Sequence, residues 1–321
     1  MRKIAILNQK GGVGKTTTSV NLAAALASIG KTVCVIDMDP QAHATLHLGV
    51  NTIPGEPSVY NVLTGTKTIR EVCRQAGERL FVVGSDIDLA AAEVELAGVV
   101  GRELILRDQF ALEELPFDYV IIDCPPSLGV LTINALSAVD EVYIPLQPHF
   151  LALHGLSKLL ETTHLVSKRL NPKLTLGGVL LCLYEAGTKL ATEIASDVVD
   201  FLDRSRQDNT PWAHSRVFTT RIRRNIRVAE APSFGQSILE YAPNSHGALD
   251  YLALAQEILD ANAETDARNA GLVASDVRST LPLPSAEQYL REDEPVAAAP
   301  VSSRKSEGVS FAFKKVMSKR A

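Results

Sequence analysis

A glycine-rich stretch at residues 10–18, Lys-Gly-Gly-Val-Gly-Lys-Thr-Thr-Thr, constrains this chain more than any other feature. It follows an apolar run at residues 4–7 and precedes a segment whose apolar residues recur at helical spacing up to Gly30. Glycines between a strand and a helix let backbone N–H groups surround an anion, and the positive end of the helix dipole points at the same place. Lys15 adds a positive charge, and the hydroxyl of Thr16 can bind Mg²⁺. The sequence therefore predicts a site for nucleotide phosphates.

This loop departs from the common phosphate-binding pattern G-x-x-x-x-G-K-[ST]. Gln9 stands where that pattern has its first glycine, and an additional lysine, Lys10, precedes Gly11. A lone Gly-x-Gly is usually an ordinary strand-to-helix turn, but Lys15 beside Thr16 at a helix start favours phosphate binding. The predicted nucleotide contacts are Lys10, Gly11, Gly12, Val13, Gly14, Lys15, Thr16 and Thr17.

Short apolar runs alternate with helical patterns, which is typical of an α/β fold with a parallel sheet covered by helices on both faces. The runs predict strands at residues 3–8, 32–37, 80–84, 119–123, 141–145 and 176–183, and a weaker one at 215–218. The helical patterns predict helices at residues 16–29, 89–96, 104–115, 154–170, 192–203 and 245–261. Because ligands gather at the carboxyl ends of parallel strands, we expect one nucleotide site there. The polar residues at these ends are Asn8, Asp37, Asp39 and Asp123.

Composition predicts a cytoplasmic protein without stable membrane insertion. The chain has 321 residues, of which 46% are hydrophobic and 21% charged. Its apolar runs are far shorter than the roughly 20 residues of a transmembrane helix, and residues 4–7 are too short for the core of a secretory signal. The four cysteines lack metal-ligand spacing, so we expect reduced thiols.

The sequence changes character after residue 261, where Pro, Ser, Ala and charged residues replace the periodic apolar ones. We therefore expect a domain at residues 1–261 and a disordered tail at 262–321. Residues 304–321 hold six basic side chains and one acidic one, with Phe311 and Phe313 among them. This basic C-terminal arm is either a solubilising terminus or a contact for nucleic acid or lipid, and both interpretations remain open.

Five motifs in a fixed order carry a resemblance to a known family. They are residues 10–18, Asp-Met-Asp-Pro-Gln at 37–41, Asp-Cys-Pro-Pro-Ser at 123–127, Pro-Leu-Gln-Pro at 145–148, and Arg-Asn at 224–225 followed by Ala-Glu-Ala-Pro-Ser at 229–233. Over roughly residues 1–260 the chain resembles ParA-type ATPases of the deviant Walker A group, chromosomal ParA above all; the group also contains MinD and the nitrogenase iron protein. The resemblance implies a P-loop NTPase with a mostly parallel twisted sheet, using ATP and Mg²⁺.

The resemblance also implies catalytic roles for Lys10, Lys15, Asp39 and Asp123. Asp123 ends an apolar strand before a rigid Pro-Pro turn, which suits a carboxylate near Mg²⁺, and Thr16 and Asp39 complete the predicted metal site. By analogy with the family, Asp39 orients the attacking water. The additional lysine of the family, here Lys10, reaches the nucleotide of the facing subunit. For Asp37 and Asp39 the alternative is capping of a strand end or plain solvation, and for Asp37 this alternative is serious.

Any DNA contact must be a local patch, because the formal net charge is −5. Arg216 and four further arginines cluster late in the domain, and the family places non-specific DNA contacts near Arg224. We predict DNA contacts from Arg221, Arg223, Arg224 and Arg227. The alternative is a solvated loop or ion pairs with Glu230 and Glu240. Because the chain begins at the first strand, we do not expect the helix-turn-helix domain of some plasmid relatives.

The predicted function is that of a nucleoid-associated partition ATPase. Its ATP-bound homodimer binds double-stranded DNA of any sequence, and a ParB-type partner stimulates hydrolysis to segregate chromosome or plasmid DNA. One alternative is a MinD-like ATPase at a membrane surface, for which Phe313, Val316 and Met317 offer a short apolar face. Others are a positioner of a protein cargo and an iron–sulfur electron-transfer ATPase. The last is disfavoured because Cys34 and Cys182 fall in strands.

Overall fold

The computed structural model describes residues 1–269 except 52, 54, 150, 151, 186 and 205–209, and at 264–269 it describes the backbone alone. The described residues belong to one compact unit of the chain. The basic C-terminal arm and the rest of the predicted tail beyond residue 269 lie outside the described residues, so the predicted domain boundary stays a prediction.

The described residues form one sheet of eight strands. The strands are β1 Arg2–Ile6, β2 Val33–Asp37, β3 Cys73–Gln75, β4 Leu80–Val83, β5 Tyr119–Asp123, β6 Glu141–Leu146, β7 Thr175–Tyr184 and β8 Ile222–Arg223. Their order across the sheet is β3-β4-β2-β5-β1-β6-β7-β8, and all neighbours are parallel except β3 and β4. The predicted α/β fold with a mostly parallel sheet is confirmed.

Helices cover both faces of this sheet. They are α1 Lys15–Ser28, α2 His43–His47, α3 Val59–Leu63, α4 Ile69–Val72, α5 Leu89–Glu95, α6 Ile105–Leu112, α7 Val130–Ala138, α8 Ala152–Arg169, α9 Lys189–Arg204, α10 Ile226–Glu230, α11 Ile238–Tyr241 and α12 His246–Asn269. Two short 3₁₀ turns, Leu96–Gly98 and Ala231–Phe234, follow α5 and α10.

The core has two halves, one on each face of the sheet, because successive strand residues point in opposite directions. Ile4 and Ile6 of β1 belong to the half that contains residues of α1 and α12. Ala5 and Leu7 belong to the half that contains residues of α7, α8 and α9. All residues of β2 and β5 are buried, which explains why these strands have unbroken apolar sequences.

The weak strand predicted at residues 215–218 is wrong. In that segment a single bridge joins Val217 to Val179, and the strand at this edge is β8 instead. The chain leaves the sheet after Phe218 because the backbone N–H groups of Thr219 and Thr220 donate to the carboxylate of Glu257 in α12. A side chain distant in sequence thus competes with strand pairing for these donors.

The sequence patterns did not predict the short strand β3 or the five helices of four or five residues, α2, α3, α4, α10 and α11. Two longer helices, α12 and α7, also differ from the sequence-based expectation. Helix α12 extends beyond the predicted end at residue 261, where buried Asn262 donates to the hydroxyl of Tyr119 at 2.7 Å. Helix α7 was not predicted because seven of its nine residues are buried, so its sequence has no polar face and no helical period. Tertiary contacts, rather than local patterns, decide both cases.

The order of the strands brings the carboxyl ends of the three central strands, β1, β5 and β2, next to one another. β5 lies between β1 and β2, and Asp123 pairs in register with Ile6 on one side and with Asp37 on the other. The segments that follow β1 and β2 are the glycine-rich loop and the Asp39 turn. The predicted convergence of these segments at one edge of the sheet is confirmed.

Candidate nucleotide site

The glycine-rich loop has the backbone that an anion cradle requires. Gly12 and Gly14 have φ angles of +73° and +93°, in the left-handed region that favours glycine. Gly14 precedes α1, and the first N–H groups of this helix have no intrahelical partners because no helical carbonyl lies four residues before them. This helix start has neither a side-chain cap nor an acidic residue in its first turn, so its positive end is left for a bound anion.

Lys15 lies inside the loop rather than in solvent. Its side chain is largely buried, and its Nζ donates to the carbonyl of Lys10 at 3.1 Å. Burial lowers the pKa of Lys15, while the nearby carboxylates of Asp123 and Asp39 oppose that shift. An anion in the loop would stabilise the buried ammonium further, so the position fits nucleotide phosphates.

Asp123 and Thr16 are adjacent, as the predicted magnesium site requires. The hydroxyl of Thr16 donates to Asp123 Oδ2 at 2.8 Å, and that of Ser19 donates to Oδ1 at 2.7 Å. Burial, together with the charge of Asp37, raises the pKa of Asp123 to about 7. A cation would offset this cost of burying a carboxylate, so the residues fit Mg²⁺. Ser19, which lies one helical turn after Thr16, was not among the predicted site residues.

Within the described residues, no group of three or more His, Cys, Asp or Glu side chains could by itself hold a metal ion. A magnesium ion at Thr16 and Asp123 is consistent with this finding, because Mg²⁺ in nucleotide sites keeps waters and takes further oxygens from the phosphates. The described geometry places Asp39 close enough to Lys15 to influence its pKa, but shows no contact between Asp39 and Asp123. Its metal and catalytic roles stay predictions.

Asp37 is a fully buried capping group. It accepts hydrogen bonds from the backbone N–H groups of Asp39 and Thr45 and from the Thr45 hydroxyl, at 2.7–3.1 Å. The same hydroxyl accepts from the Ser85 N–H after β4. Burial raises the pKa of Asp37 to about 6. These contacts agree with the alternative considered for Asp37, which is capping of a strand end. The same hydrogen bonds hold the Asp39 turn against the sheet.

Lys10 is exposed at the mouth of the loop. Its backbone N–H donates to Asn8 Oδ1 at 3.0 Å, and Asn8 in turn donates to the carbonyl of Pro145 at 2.7 Å. The ammonium contacts Nε2 of His149, whose pKa is lowered by burial and by the charge of Lys10. His149 was not among the predicted site residues. An exposed ammonium beside the phosphate loop is compatible with a role toward a facing molecule, and that role stays a prediction.

A cavity of about 170 Å³ adjoins the phosphate loop on the side of β7 and β8. Its lining includes Gly14, Thr17, Cys182, Ile222, Asn225 and Tyr251. A mostly apolar hollow with a few amide and hydroxyl groups is suited to a planar heterocycle. The cavity is therefore a candidate site for the nucleotide base. Spacing could not reveal it, because its walls come from four separate parts of the chain.

The four predicted DNA-contacting arginines lie in β8 or close to it in the chain, and each has a partner. Arg221 donates to the Tyr184 hydroxyl at 2.6 Å and lies over the same ring. Arg224 pairs with Glu185 at 3.0 Å and Arg227 with Glu230 at 3.1 Å. We call Arg221, Arg224 and Arg227 the arginine surface. Of the two ion pairs considered as alternatives, that with Glu230 exists, whereas Glu240 caps α11.

Arg223 differs from the arginine surface because its guanidinium forms a forked pair with Asp250, with distances of 2.6–3.1 Å. The Asp250 side chain is only 9% exposed, and it also accepts from the Arg223 N–H. Such a pair locks β8 onto α12. The role of Arg223 as a DNA contact stays a prediction, and its geometry assigns it a structural task as well.

Arg223→Ala is expected to lower the free energy of unfolding by about 1–3 kcal/mol, because it leaves the nearly buried Asp250 carboxylate without its cation. The estimate is below that for a fully buried pair, since the Arg223 side chain is 37% exposed. Urea denaturation measures the change. Arg224→Ala is the matched control and should change stability by less than about 1 kcal/mol, because that pair is exposed. Equal losses in the two variants would contradict the structural role.

Comparisons with known proteins agree with the fold and the loop. The family described as "AAA domain" matches residues 1–176. The sporulation initiation inhibitor protein Soj of Bacillus subtilis is 46% identical over 256 residues, covering 79% of this chain and 97% of that protein. The chromosome partitioning protein ParA of Caulobacter vibrioides is 41% identical over 277 residues, covering 84% of this chain and 98% of that protein.

Solved structures give the same result. A Mycobacterium smegmatis protein described as cobyrinic acid a,c-diamide synthase, with bound ATP analogue and magnesium, is 36% identical with a TM-score of 0.67, and the match covers 81% of this chain and 94% of that one. MinD of Pyrococcus horikoshii, complexed with Mg-ADP, is 22% identical with a TM-score of 0.62, covering 80% and 95%, and shows the fold alone. In the described part of the chain, no helix is long and apolar enough to cross a membrane. The phosphate loop, the buried Asp123 and the identity to these relatives lead to one conclusion: the chain belongs to the ParA/Soj family of P-loop ATPases.

Proposed function

We propose that this ATPase is a partition protein whose ATP-bound homodimer binds DNA without sequence preference and releases it when a ParB-type partner stimulates hydrolysis. The observation that carries the proposal is the presence of two lysines at one loop, one buried in the cradle and one exposed at its mouth. The identity to Soj and ParA over nearly their whole lengths supports the same assignment.

The geometry supports a division of labour at the site. Backbone N–H groups of the loop and the Lys15 ammonium bind the phosphates, and Thr16 and Asp123 hold Mg²⁺. A Mg²⁺ ion held there would supply positive charge against the charge that develops on the phosphate oxygens, as in other phosphoryl-transfer enzymes. Asp39, on a turn held by Asp37, orients the attacking water.

Dimerisation follows from the position of Lys10. Lys15 is the cation that lies within the cradle, whereas Lys10 is exposed beside it and can neutralise the nucleotide of a facing copy. Gly11 and Gly12 are exposed and have open space where a side chain would begin, so a second molecule can approach the backbone closely. ATP thereby becomes part of the interface between two copies.

DNA binding by the arginine surface follows from dimerisation. The arginines of one protomer are few, and Arg224 and Arg227 pair with carboxylates on an acidic protein. Phosphate binding must compete with these exposed pairs, which are individually weak. A dimer presents the arginine surface twice, so affinity for a continuous polyanion rises steeply with the ATP-dependent assembly.

Three alternatives are less well supported. The residues that would form a membrane-binding face, Phe313, Val316 and Met317, lie outside the described residues. The likeness to a McdA structure from Cyanothece, at 22% identity and a TM-score of 0.70, concerns the fold alone. The name of the Mycobacterium smegmatis structure points to amide synthesis, but the partition proteins named above are more similar in sequence.

A DNA co-sedimentation experiment tests the proposal. Purified protein is mixed with DNA of unrelated sequences in the presence of ATP, ADP or no nucleotide, and then with a ParB-type protein from the same organism. We expect binding with ATP alone, on every sequence, and release with faster phosphate production when the partner is added. Anionic liposomes serve as the control polyanion. Binding to liposomes but not to DNA would contradict the proposal and favour the membrane alternative.

A further inference from the structure

Helix α5 has apolar residues on its outer face as well as its inner face. Leu89, Ala92 and Leu96 are buried in the core. On the other side, Val94 is 76% exposed and Ile87 is 60% exposed. The outer residues, which we call the α5 stripe, are Ile87, Ala90, Ala91, Val94, Ala97 and Val100, all exposed. A helix at a protein surface normally has polar residues on its solvent face, so a row of exposed apolar ones marks an interaction site.

The α5 stripe begins in the turn before α5, follows one side of the helix and continues past its end through the 3₁₀ turn Leu96–Gly98 to Val100. Ala90 and Ala91 donate to the carbonyls of Ile87 and Asp88 at 3.1 and 2.9 Å, so the helical turn already begins at Ile87. Spacings of three and four residues then align Ile87, Ala91 and Val94 on one face. The core anchors the opposite face, so the stripe is presented on a fixed support.

Carboxylates border the α5 stripe on both sides. Glu93 and Glu95 are exposed and flank Val94, and Asp88 lies at its start. The Tyr60 hydroxyl donates to Glu95 at 3.0 Å, which orients this carboxylate without neutralising it. Arg102 lies beyond the far end, where it is paired with Glu103 and contacts the carbonyl of Ala97. The border is therefore acidic along most of its length.

Glu93, at the border of the α5 stripe, lies against the loop between β5 and α7. Its carboxylate occupies the space beside Gly129 where a Cβ would project. This loop follows Asp123 directly. A molecule that docks on the stripe and pairs with Glu93 would thus act on a side chain that lies against the segment leading from the proposed magnesium ligand.

We propose that the α5 stripe is the docking surface for a basic amphipathic helix of the activating partner. The inference rests on the proposed function and adds to it the surface and the chemistry of the contact. An apolar face with Lys or Arg on both sides matches an apolar row with carboxylates on both sides. Binding there acts through Glu93 on the loop after Asp123, and this contact couples docking of the partner to ATP hydrolysis.

A second copy of this chain fits the α5 stripe less well. In a two-fold contact each stripe would face its own image, which places Glu93 and Glu95 opposite carboxylates of the same kind. The stripe is also a single short row of small and medium side chains. Stable dimers bury about 800 Å² on each partner, far more than one such row provides.

The substitution Val94→Lys tests this inference in the full-length protein. It places a cation in the middle of the stripe at a solvent-exposed position, so the fold should not change. We expect the affinity for the purified ParB-type protein, measured by surface plasmon resonance with ATP present, to fall about tenfold or more. Stimulation of ATP hydrolysis should fall in parallel. Basal hydrolysis, ATP-dependent dimerisation and DNA binding should equal those of the wild type.

Leu165→Lys is the matched control, because Leu165 is a 53% exposed leucine in α8, outside the stripe. Equal affinity and stimulation in the wild type, Val94→Lys and Leu165→Lys would overturn the inference while leaving the proposed function intact. A wild type that binds the partner without stimulation would overturn the proposed function, and loss of that binding in Val94→Lys would still support the docking surface. Loss of dimerisation in Val94→Lys would assign the stripe to a second copy and overturn the inference.

Discussion

Lys15→Ala is expected to abolish ATP binding, with a dissociation constant raised about 100-fold or more. The buried Lys15 ammonium is the cation within the phosphate loop, and charge-assisted hydrogen bonds contribute about 1.5–3 kcal/mol each. Loss of two such bonds corresponds to at least a 100-fold change. Isothermal titration with a non-hydrolysable ATP analogue measures the effect. The fold should persist, because Lys15 donates to a loop carbonyl and not to the core.

Lys10→Ala and Asp39→Ala provide the comparison, because each removes a different function from the same site. Lys10→Ala should bind ATP with nearly wild-type affinity but fail to dimerise in light scattering, because the proposed role of the exposed ammonium is to act across the interface. Asp39→Ala should bind and dimerise but not hydrolyse, because the proposed role of its carboxylate is to orient water and its contacts are local. ATP-dependent dimers of Lys10→Ala would show that the lysine does not act on a facing subunit. Normal turnover by Asp39→Ala would remove that residue from the mechanism.

Replacing Arg221, Arg224 and Arg227 together with glutamate is expected to eliminate ATP-dependent DNA binding on every sequence. The change reverses three charges per protomer and six per dimer, and each lost phosphate contact lowers the salt dependence of the logarithm of affinity by about 0.9. Single substitutions should therefore flatten the salt dependence by about two units per dimer. Fluorescence anisotropy with labelled duplexes at several salt concentrations measures both quantities.

Arg223 is left out of this triple variant because its pair with Asp250 supports the fold, and its loss would confuse instability with lost binding. Arg107→Glu is the control for charge alone, since Arg107 is an exposed arginine on α6. ATP-dependent dimerisation should be normal in all these variants. Unchanged DNA binding by the triple variant would show that the DNA contact lies elsewhere on the protein. Loss of DNA binding in Arg107→Glu would show that net charge, rather than the arginine surface, explains the effect.

The functional site shows what a pattern in the sequence can and cannot reveal. The phosphate loop, Thr16 and Asp123 were predictable because the chemistry needs those residue types at short, fixed spacings beside a strand and a helix. Ser19, Thr45 and His149 were not, since each acts through a contact with a residue in another segment. The cavity beside Thr17 was invisible for the same reason.

The sequence by itself determined the alternation of strands and helices, because apolar periodicity records which faces are buried. It also determined the phosphate loop, whose conformation depends on glycines that are neighbours in the chain. Only the tertiary structure decided the roles of the arginines: Arg223 and Arg224 are adjacent in sequence, yet one is held by Asp250 and the other is exposed beside Glu185. It likewise decided that α5 has a second apolar face. The physical reason is that ion pairing and burial depend on which segments, distant in sequence, come into contact in the fold. Local sequence patterns do not specify these contacts.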